Sequence, residues 1–369
     1  MPEDKQYIQG LEEYIRQGEP QKQERGRAWQ TAIGLQAVDG LKTSPYLLDT
    51  ARRHIEGDIS IDEAKQLIDS YYKSQTGRMA TEGERTEEAD KVSARITELL
   101  QEQTFNFSPA QYAAIHRRLF EGIFKFAGSI RDYNITKREW VLRGETVYYA
   151  SADTISETLE YDIRQEREFS YDGMSMDDAI RHLTRFCANL WQIHAFGEGN
   201  TRTTAVFMIK YLKTLGFKAT NDLFAAHSWY FRNALVRANY SNLQEGVTET
   251  TVYLERFFRN MLLGETTPLR NREMHLDWKS SADEQSAKPA LTSANFALGL
   301  PEKCKNCTIE EIAVLRVIQQ NPSATQKFVA GEIGKSERTV KSITARLTER
   351  GIIRRTKGKG SPWEIKNDI

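Results

Sequence analysis

The chain contains 369 residues, which is enough for two or three domains of about 100–200 residues each. Its 51 basic and 51 acidic side chains cancel, so no net field of the whole chain draws it to nucleic acid or membrane. Three cysteines cannot form a disulfide framework. The sequence shows neither a secretory signal nor an apolar run of about 18 residues. We therefore expect a cytoplasmic protein without a membrane segment.

Residues 1–76 are predicted to form short helices. Apolar residues recur there at helical spacing, most clearly in Ala64, Leu67, Ile68 and Tyr71. The following stretch, residues 76–91, is charged and contains glycine, which predicts a linker.

Residues 93–264 have a strong helical pattern with one interruption. Between residues 133 and 150, the apolar segments 140–142 and 146–149 flank Arg143-Gly-Glu145. Two short apolar segments around such a turn predict a β-hairpin. The domain is therefore expected to be mainly α-helical with one hairpin.

Two amphipathic helices meet at a glycine-rich loop in the second half of this domain. Leu183, Cys187, Leu190 and His194 share one helical face, and the pattern breaks at Gly197-Glu-Gly199. The free N–H groups at the start of the second helix, together with its dipole, favour an anion. This arrangement predicts a phosphate site.

The chemistry of this loop suits phosphoryl-type transfer. His194 is a base that titrates near neutral pH, Glu198 is an oxygen ligand for Mg²⁺, and Arg202 is a cation in the first turn. Each feature has a structural alternative, because buried histidines and glycine turns between helices are common. The combination within nine residues is more specific than its parts.

The segment His194-Ala-Phe-Gly-Glu-Gly-Asn-Thr-Arg202 resembles the motif of the Fic (Fido) family, His-Pro-Phe-x-(Asp/Glu)-Gly-Asn-(Gly/Lys)-Arg-x-x-Arg. The likeness extends from about Phe105 to Leu263 and includes Phe126-Ala-Gly-Ser-Ile-Arg131. The predicted hairpin is similar to the family's flap. The resemblance implies a helical bundle with a β-hairpin flap. It also implies a protein adenylyltransferase that uses Mg²⁺ and takes ATP as co-substrate.

The resemblance also implies roles for individual residues. His194 would take a proton from a Ser, Thr or Tyr hydroxyl of a target protein, and this chain is itself a candidate target. Glu198 would hold Mg²⁺. The flap residues Val147, Tyr148 and Tyr149 would bind the target by strand addition. The nucleotide would be held by Phe196, Gly197, Gly199, Asn200, Thr201 and Arg202.

Three positions depart from the family motif. Ala195 replaces proline, and Thr201 replaces glycine or lysine beside the phosphates. Ala205 replaces the second arginine, which contacts the γ-phosphate in the family. Loss of such a charge-assisted contact costs about 1.5–3 kcal/mol, so the transferred group is AMP or another nucleotide moiety.

The N-terminal helices resemble the antitoxin that represses some Fic enzymes in toxin–antitoxin pairs. The antitoxin's inhibitory helix carries (Ser/Thr)-x-x-x-Glu-(Gly/Asn), and the nearest match here is Leu35-Gln-Ala-Val-Asp39-Gly40. Asp39 is therefore the candidate inhibitory residue, although the arginine that it would pair with is replaced by Ala205. The alternative is that this segment is only a structural cap.

The C-terminal residues form a separate basic region. From Cys304 onward, thirteen Lys or Arg stand against seven Asp or Glu. We expect a linker over 265–306, then a winged helix-turn-helix over 307–369 with helices at 325–331 and 336–350 and two short strands. Val340, Ile343 and Leu347 would be its buried stripe. The predicted DNA contacts are Arg338, Lys341, Ser342, Arg346, Arg354, Arg355, Lys357 and Lys359.

Two functions remain open at this point. The first is a Fic-type transferase that is restrained by its N-terminal segment and coupled to a DNA-binding tail. The second is a DNA-binding transcriptional regulator whose Fic domain has lost catalysis and acts as a ligand sensor or scaffold. The winged helix could alternatively dock proteins or form a dimer, and a homodimer is compatible with the sequence.

Overall fold

The computed structural model describes residues 19–74, 82–217, 223–278, 307–356 and 361–366. These ranges contain thirteen α-helices and one small antiparallel sheet. The helices are α1 Pro20–Gly34, α2 Pro45–Glu56, α3 Ile61–Ser74, α4 Glu82–Gln101, α5 Pro109–Phe120, α6 Ile155–Glu168, α7 Met176–Ile193, α8 Asn200–Thr214, α9 Leu223–Ala238, α10 Val252–Leu263, α11 Ile309–Gln320, α12 Gln326–Ile333 and α13 Glu337–Glu349. The strands are β1 Ile353–Arg355 and β2 Trp363–Ile365. The expectation of a mainly helical protein is confirmed.

Short polar residues fix the starts of several helices. A serine or threonine side chain accepts a hydrogen bond from a backbone N–H three residues later, which contributes about 1 kcal/mol to each helix. In α11, Thr308 and Glu311 form a complete capping box. The other caps of this kind are Ser44, Ser60, Ser108, Ser175, Thr325 and Ser336.

Residues 19–74 form an N-terminal module with its own small core around Trp29. The Trp29 indole donates to His54 Nδ1 at 2.9 Å, so a large buried ring keeps a hydrogen-bond partner. Ala94 of α4 belongs to this core, while Val92 and Ile96 of the same helix belong to the main core. The module is therefore packed onto the rest of the protein through α4.

Helix α4 corrects the prediction of a linker over residues 76–91. The helix begins at Glu82, and Ala89, Val92 and Ile96 form a buried stripe. The many charged residues before this stripe concealed the helical pattern. Residues 75–81 lie outside the described ranges.

Helix α8 lies at the centre of the main domain. Every residue from Asn200 to Leu212 is buried, which marks a helix packed on all sides. Its neighbours include α4, α5 and α7. The glycine-rich loop thus leads into the most enclosed helix of this domain.

The predicted hairpin over residues 133–150 is wrong in its detail. Residues Trp140–Leu142 form a turn of 3₁₀-helix, and Arg143 then takes a left-handed conformation. The two sides of the flap are joined by the Glu139 N–H, which donates to the Glu145 carbonyl at 2.9 Å. The apolar residues Val141 and Leu142 are both buried, so consecutive side chains face the core and prevent strand alternation.

The C-terminal region forms the predicted winged helix. Val340, Ile343 and Leu347 of α13 are buried, and β1 pairs with β2 in a register that places Ile353 opposite Ile365. Thr308 forms a bridge with Ser175, and the Arg316 guanidinium donates to the Leu262 carbonyl. The winged helix therefore contacts the central domain.

The predicted linker 265–306 begins with a packed segment. Residues Asn271–Met274 form a 3₁₀ turn, Met274 is buried, and the Leu276 N–H donates to the Val141 carbonyl at 3.0 Å. These contacts attach residues 265–278 to the central domain beneath the flap. Residues 279–306 lie outside the described ranges.

Candidate active site at the start of helix α8

His194 ends α7 in a left-handed conformation, with φ of 49°. Such a conformation costs a non-glycine residue about 1–2 kcal/mol, and within the described ranges only Arg143 shares it among non-glycine residues. Arg131 Nε donates to the His194 carbonyl at 2.8 Å and fixes this turn. Local strain at a candidate catalytic residue is consistent with a functional constraint.

The imidazole of His194 is covered. Only 3% of the residue is exposed, and the Tyr149 ring lies 4.1 Å from the imidazole centroid. Burial, with the nearby charges of Lys137 and Arg232, holds the pKa of His194 well below its ordinary value. Its buried Nδ1 has no hydrogen-bond partner in the part of the chain that the structure describes. The ring is thus a neutral base in a closed site, whereas the sequence suggested a base that titrates near neutral pH.

The flap closes this site through polar contacts. Gln192 Nε2 donates to the Tyr148 carbonyl at 3.0 Å, and Arg131 also bonds the Ala150 carbonyl. The Tyr149 hydroxyl donates to Glu139 at 3.3 Å. Of the three predicted target-binding residues, Val147 is buried, Tyr149 lies on His194, and Tyr148 is 81% exposed.

The loop over residues 196–200 is held by its own side chains. Asn200 accepts from the Phe196 N–H at 3.0 Å and donates to the Phe196 carbonyl at 2.7 Å. The Asn200 amide therefore shapes the loop. Phe196 is fully buried and anchors the loop in the core.

Close packing requires a glycine at position 199, whereas Gly197 faces a tyrosine side chain that can move. A Cβ at Gly199 would lie 2.3 Å from the Phe120 ring, and Gly199 has φ of 77°. A Cβ at Gly197 would lie 2.6 Å from the Tyr133 hydroxyl. Gly199 precedes α8 without a side-chain hydrogen-bond cap, which is consistent with an anion site at this helix start.

Glu198 is the exposed member of the loop. Its side chain is 54% exposed and accepts from Lys137 Nζ at 2.8 Å. A single carboxylate beside a helix start fits Mg²⁺, which usually binds one or two carboxylates together with substrate phosphates. The described residues contain no group of three or more His, Cys, Asp or Glu that could hold a metal ion.

Arg202 is buried among acidic and polar groups. Its Nη2 lies 2.6 Å from Glu88 Oε1, and its Nη1 donates to Gln36 at 3.0 Å. Its Nε lies 2.8 Å from Asp39 Oδ2 as an ion pair without hydrogen-bond alignment. The guanidinium also lies over the Phe120 ring. Only 2% of Arg202 is exposed.

This environment changes two expectations. Asp39 has a partner after all, because it meets Arg202, the first arginine of the motif. Ala205, at the second position, is fully buried. In this closed arrangement, Arg202 faces carboxylates where we expected it to lie beside a phosphate.

Sequence reasoning missed several residues of this site. Gln36, Glu88, Lys137 and His116 lie far from the motif in sequence, and nothing in their local patterns distinguishes them. The remaining motif residue, Thr201, is buried and accepts from the Trp191 indole at 3.0 Å.

The predicted DNA-binding residues of α13 lie on its open face. Arg338, Lys341, Ser342 and Arg346 are exposed. Lys341 pairs with Glu337 within the helix, at 3.0 Å. This exposed pair is weak and leaves Lys341 available to a polyanion, whereas Arg346 lies 3.4 Å from the buried Glu311 carboxylate.

The wing strands supply the other predicted DNA contacts. Arg354 pairs with Glu364 across the two strands at 2.6 Å. The Arg355 guanidinium lies over the Trp363 ring, 3.8 Å from its centroid. Lys357 and Lys359 lie outside the described residues.

Comparison with known families gives two matches in separate parts of the chain. The Fic/DOC family matches residues 106–212, and the winged helix-turn-helix DNA-binding family matches residues 311–354. The fold and the loop define a helical domain of the Fic type joined to a DNA-binding domain. The chain thus contains a domain of the Fic/DOC family and a C-terminal winged helix-turn-helix domain. No curated protein matches it. None of the described helices is long and apolar enough to cross a membrane.

Proposed function

We propose that this protein is a Fic-type transferase that moves AMP from ATP to a hydroxyl of a protein. The observation that carries the proposal is the position of His194. A neutral, strained imidazole precedes an uncapped helix start that carries Arg202. The Fic/DOC match over residues 106–212 supports the same reaction class.

The chemistry follows from these groups. His194 accepts the proton of the target hydroxyl, whose oxygen forms a bond to the α-phosphorus while the bond to the β-phosphate oxygen breaks and pyrophosphate leaves. Glu198 would hold Mg²⁺, which neutralises phosphate charge. The N–H groups at the start of α8 and the Arg202 guanidinium stabilise the negative charge of the phosphates.

The replacement of an arginine by Ala205 limits nucleotide affinity. Without that charge-assisted contact, binding of a triphosphate weakens by about 1.5–3 kcal/mol. The missing contact concerns the γ-phosphate, so the transferred AMP group is still surrounded by the loop. Other nucleoside triphosphates are therefore compared with ATP in the labelling assay.

We further propose that the N-terminal module inhibits the enzyme. Gln36 and Asp39 lie in the 3₁₀ turn Leu35–Asp39, and both contact Arg202. A carboxylate at this helix start occupies the region that favours a phosphate. Movement of the turn, together with opening of the flap from His194, would make the site accessible.

Incubation with α-labelled ATP and Mg²⁺ tests the enzyme. The full chain, His194→Ala and Asp39→Asn are compared, with Asp58→Asn as a matched control because Asp58 is exposed in the same module. We expect protein labelling that Asp39→Asn increases, that Asp58→Asn leaves unchanged and that His194→Ala abolishes. Labelling that persists in His194→Ala would exclude this mechanism.

The second candidate is a DNA-binding regulator whose Fic domain senses a ligand. The burial of His194 and the loss of arginine at Ala205 favour it. Absence of label from every nucleoside triphosphate, together with ligand-dependent DNA binding, would select this alternative.

DNA binding by the winged helix is tested separately. Titration of the full chain with duplex DNA at several salt concentrations should give affinity that falls as salt rises. Arg338→Ala should weaken binding, while Arg164→Ala on the central domain should not. Affinity that is indifferent to salt would contradict phosphate contacts.

A further inference from the structure

His116 of α5 connects the glycine-rich loop to the segment before the flap. Its side chain is fully buried. The Gly128 N–H donates to His116 Nδ1 at 2.8 Å, and His116 Nε2 lies 3.0 Å from the Glu198 carbonyl oxygen. One ring thus contacts two chain segments that are seventy residues apart.

The partners of the two nitrogens determine the tautomer. A backbone N–H can only donate, so Nδ1 carries no hydrogen. A carbonyl can only accept, so Nε2 carries the hydrogen and donates it to Glu198. His116 is therefore a neutral imidazole with both nitrogens in use.

The ring is also fixed by its aromatic neighbours. It stacks on Phe196 of the motif at 3.8 Å with an interplanar angle of 14°. The Phe120 ring, which packs against Gly199, is a second neighbour, with its centroid 4.8 Å from the centroid of the imidazole. These contacts leave the imidazole little freedom to turn away from the Glu198 carbonyl.

We propose that His116 is a positioning residue that shapes the phosphate-binding loop through the Glu198 carbonyl and ties this loop to Gly128. This inference rests on the proposed nucleotide-binding function. With the carbonyl held inward, the Glu198 carboxylate remains outside and the N–H groups at the start of α8 keep their direction. His116 acts on the nucleotide through the loop and does not touch it.

Three substitutions at this position separate the two contacts. His116→Gln places an amide nitrogen near the Nε2 position and can still donate to Glu198. His116→Asn places an oxygen near the Nδ1 position and can still accept from Gly128. His116→Phe retains the aromatic packing and loses both hydrogen bonds. The buried His54, which lies in the N-terminal core, supplies the matched control His54→Gln.

The binding readout is the Kd for ATP with Mg²⁺, measured by calorimetry on the full chain in the Asp39→Asn background. We expect His116→Phe and His116→Asn to weaken binding about tenfold, the factor for one hydrogen bond. His116→Gln should restore most of that loss, and His54→Gln should leave Kd unchanged. Melting temperatures identify variants that fail to fold. Equal Kd values in all three His116 variants and the parent would overturn the proposal.

NMR of the His116 ring tests the proposed hydrogen bonds even when no nucleotide is bound. With ¹⁵N-labelled histidine, the signals lost in His116→Gln identify the ring, and they should show a protonated Nε2 and an unprotonated Nδ1. The opposite tautomer would overturn the proposal. If the parent binds no nucleotide, the proposed function fails, while the tautomer still decides whether His116 holds the loop.

Discussion

The contact between Asp39 and Arg202 gives the sharpest prediction about inhibition. We expect Asp39→Asn to raise self-labelling or target labelling by shifting the N-terminal turn away from Arg202. The substitution retains the size of the side chain and removes its charge. The backbone carbonyl of residue 39, which accepts from Arg85 at 2.8 Å, remains in place.

The magnitude follows from the geometry of this pair. An exposed ion pair contributes up to about 1 kcal/mol, and a hydrogen bond to a charged group about 1.5–3 kcal/mol. The Asp39 side chain is 27% exposed, and its 2.8 Å contact with Arg202 lacks hydrogen-bond alignment. We therefore take a value between these ranges, about 1.4 kcal/mol, which corresponds to about a tenfold change in the closed-to-open ratio.

The assay is the initial rate of label transfer at saturating Mg²⁺, measured for the parent, Asp39→Asn and Asp58→Asn. While the closed form predominates, the rate should rise by the same factor of about ten. A rate that is unchanged in Asp39→Asn would refute inhibition through this ion pair. An equal rise in Asp58→Asn would indicate a general loosening of the module.

Three further predictions concern stability and access to the site. Burial lowers the pKa of His54 and His116 to about 4. Below pH 6.5 the folded state therefore binds fewer protons than the unfolded state. The free energy of unfolding, measured by urea titration, should be highest above pH 6.5 and should fall towards pH 4 by up to about 1.4 kcal/mol per pH unit for each histidine. A free energy of unfolding that does not change over this range would contradict the prediction. Gly34→Ala would place a Cβ 2.2 Å from the backbone of α9, so we expect a lower melting temperature and faster labelling. Tyr149→Ala should uncover His194 and move its pKa in NMR titrations back towards 6.5; an unmoved pKa would show that the flap does not cause the shift.

The local chemistry of the site was predictable from the sequence, since its residues are neighbours in the chain. The glycine break after His194 and the resumed helical pattern indicated the loop between α7 and α8. The buried stripe of Val340, Ile343 and Leu347 likewise predicted α13. These features depend on interactions within a few residues, which sequence spacing records directly.

The state of the site depends on contacts between distant segments and could not be predicted. Arg202 meets groups from positions 36, 39 and 88, and no spacing rule brings these together. The prediction of a β-hairpin for the flap was wrong for a related reason. Its apolar residues suggested strands, whereas Val141 and Leu142 face the core consecutively because the packed segment 271–276 lies beneath them.

The two carboxylates on Arg202 should have different roles because Asp39 lies in the turn Leu35–Asp39 and Glu88 lies on helix α4. Helix α4, which carries Glu88, is tied to α8 by Lys210 Nζ, which donates to the Leu99 and Glu102 carbonyls at 2.7 and 3.0 Å. Glu88 therefore stays beside Arg202 when the turn Leu35–Asp39 moves. It keeps the buried guanidinium paired, and nucleotide phosphate must compete with it.

This difference gives a final prediction. Glu88→Gln should tighten Mg²⁺–ATP binding without increasing amide hydrogen exchange in residues 35–39, because the Asp39 contact is retained. Asp39→Asn should increase that exchange. The physical reason is that only Asp39 lies on the element that moves, while Glu88 acts on phosphate affinity alone. Faster exchange in both variants would mean that Arg202 holds the turn through both carboxylates together. The assignment of inhibition to Asp39 and of phosphate affinity to Glu88 would then be wrong.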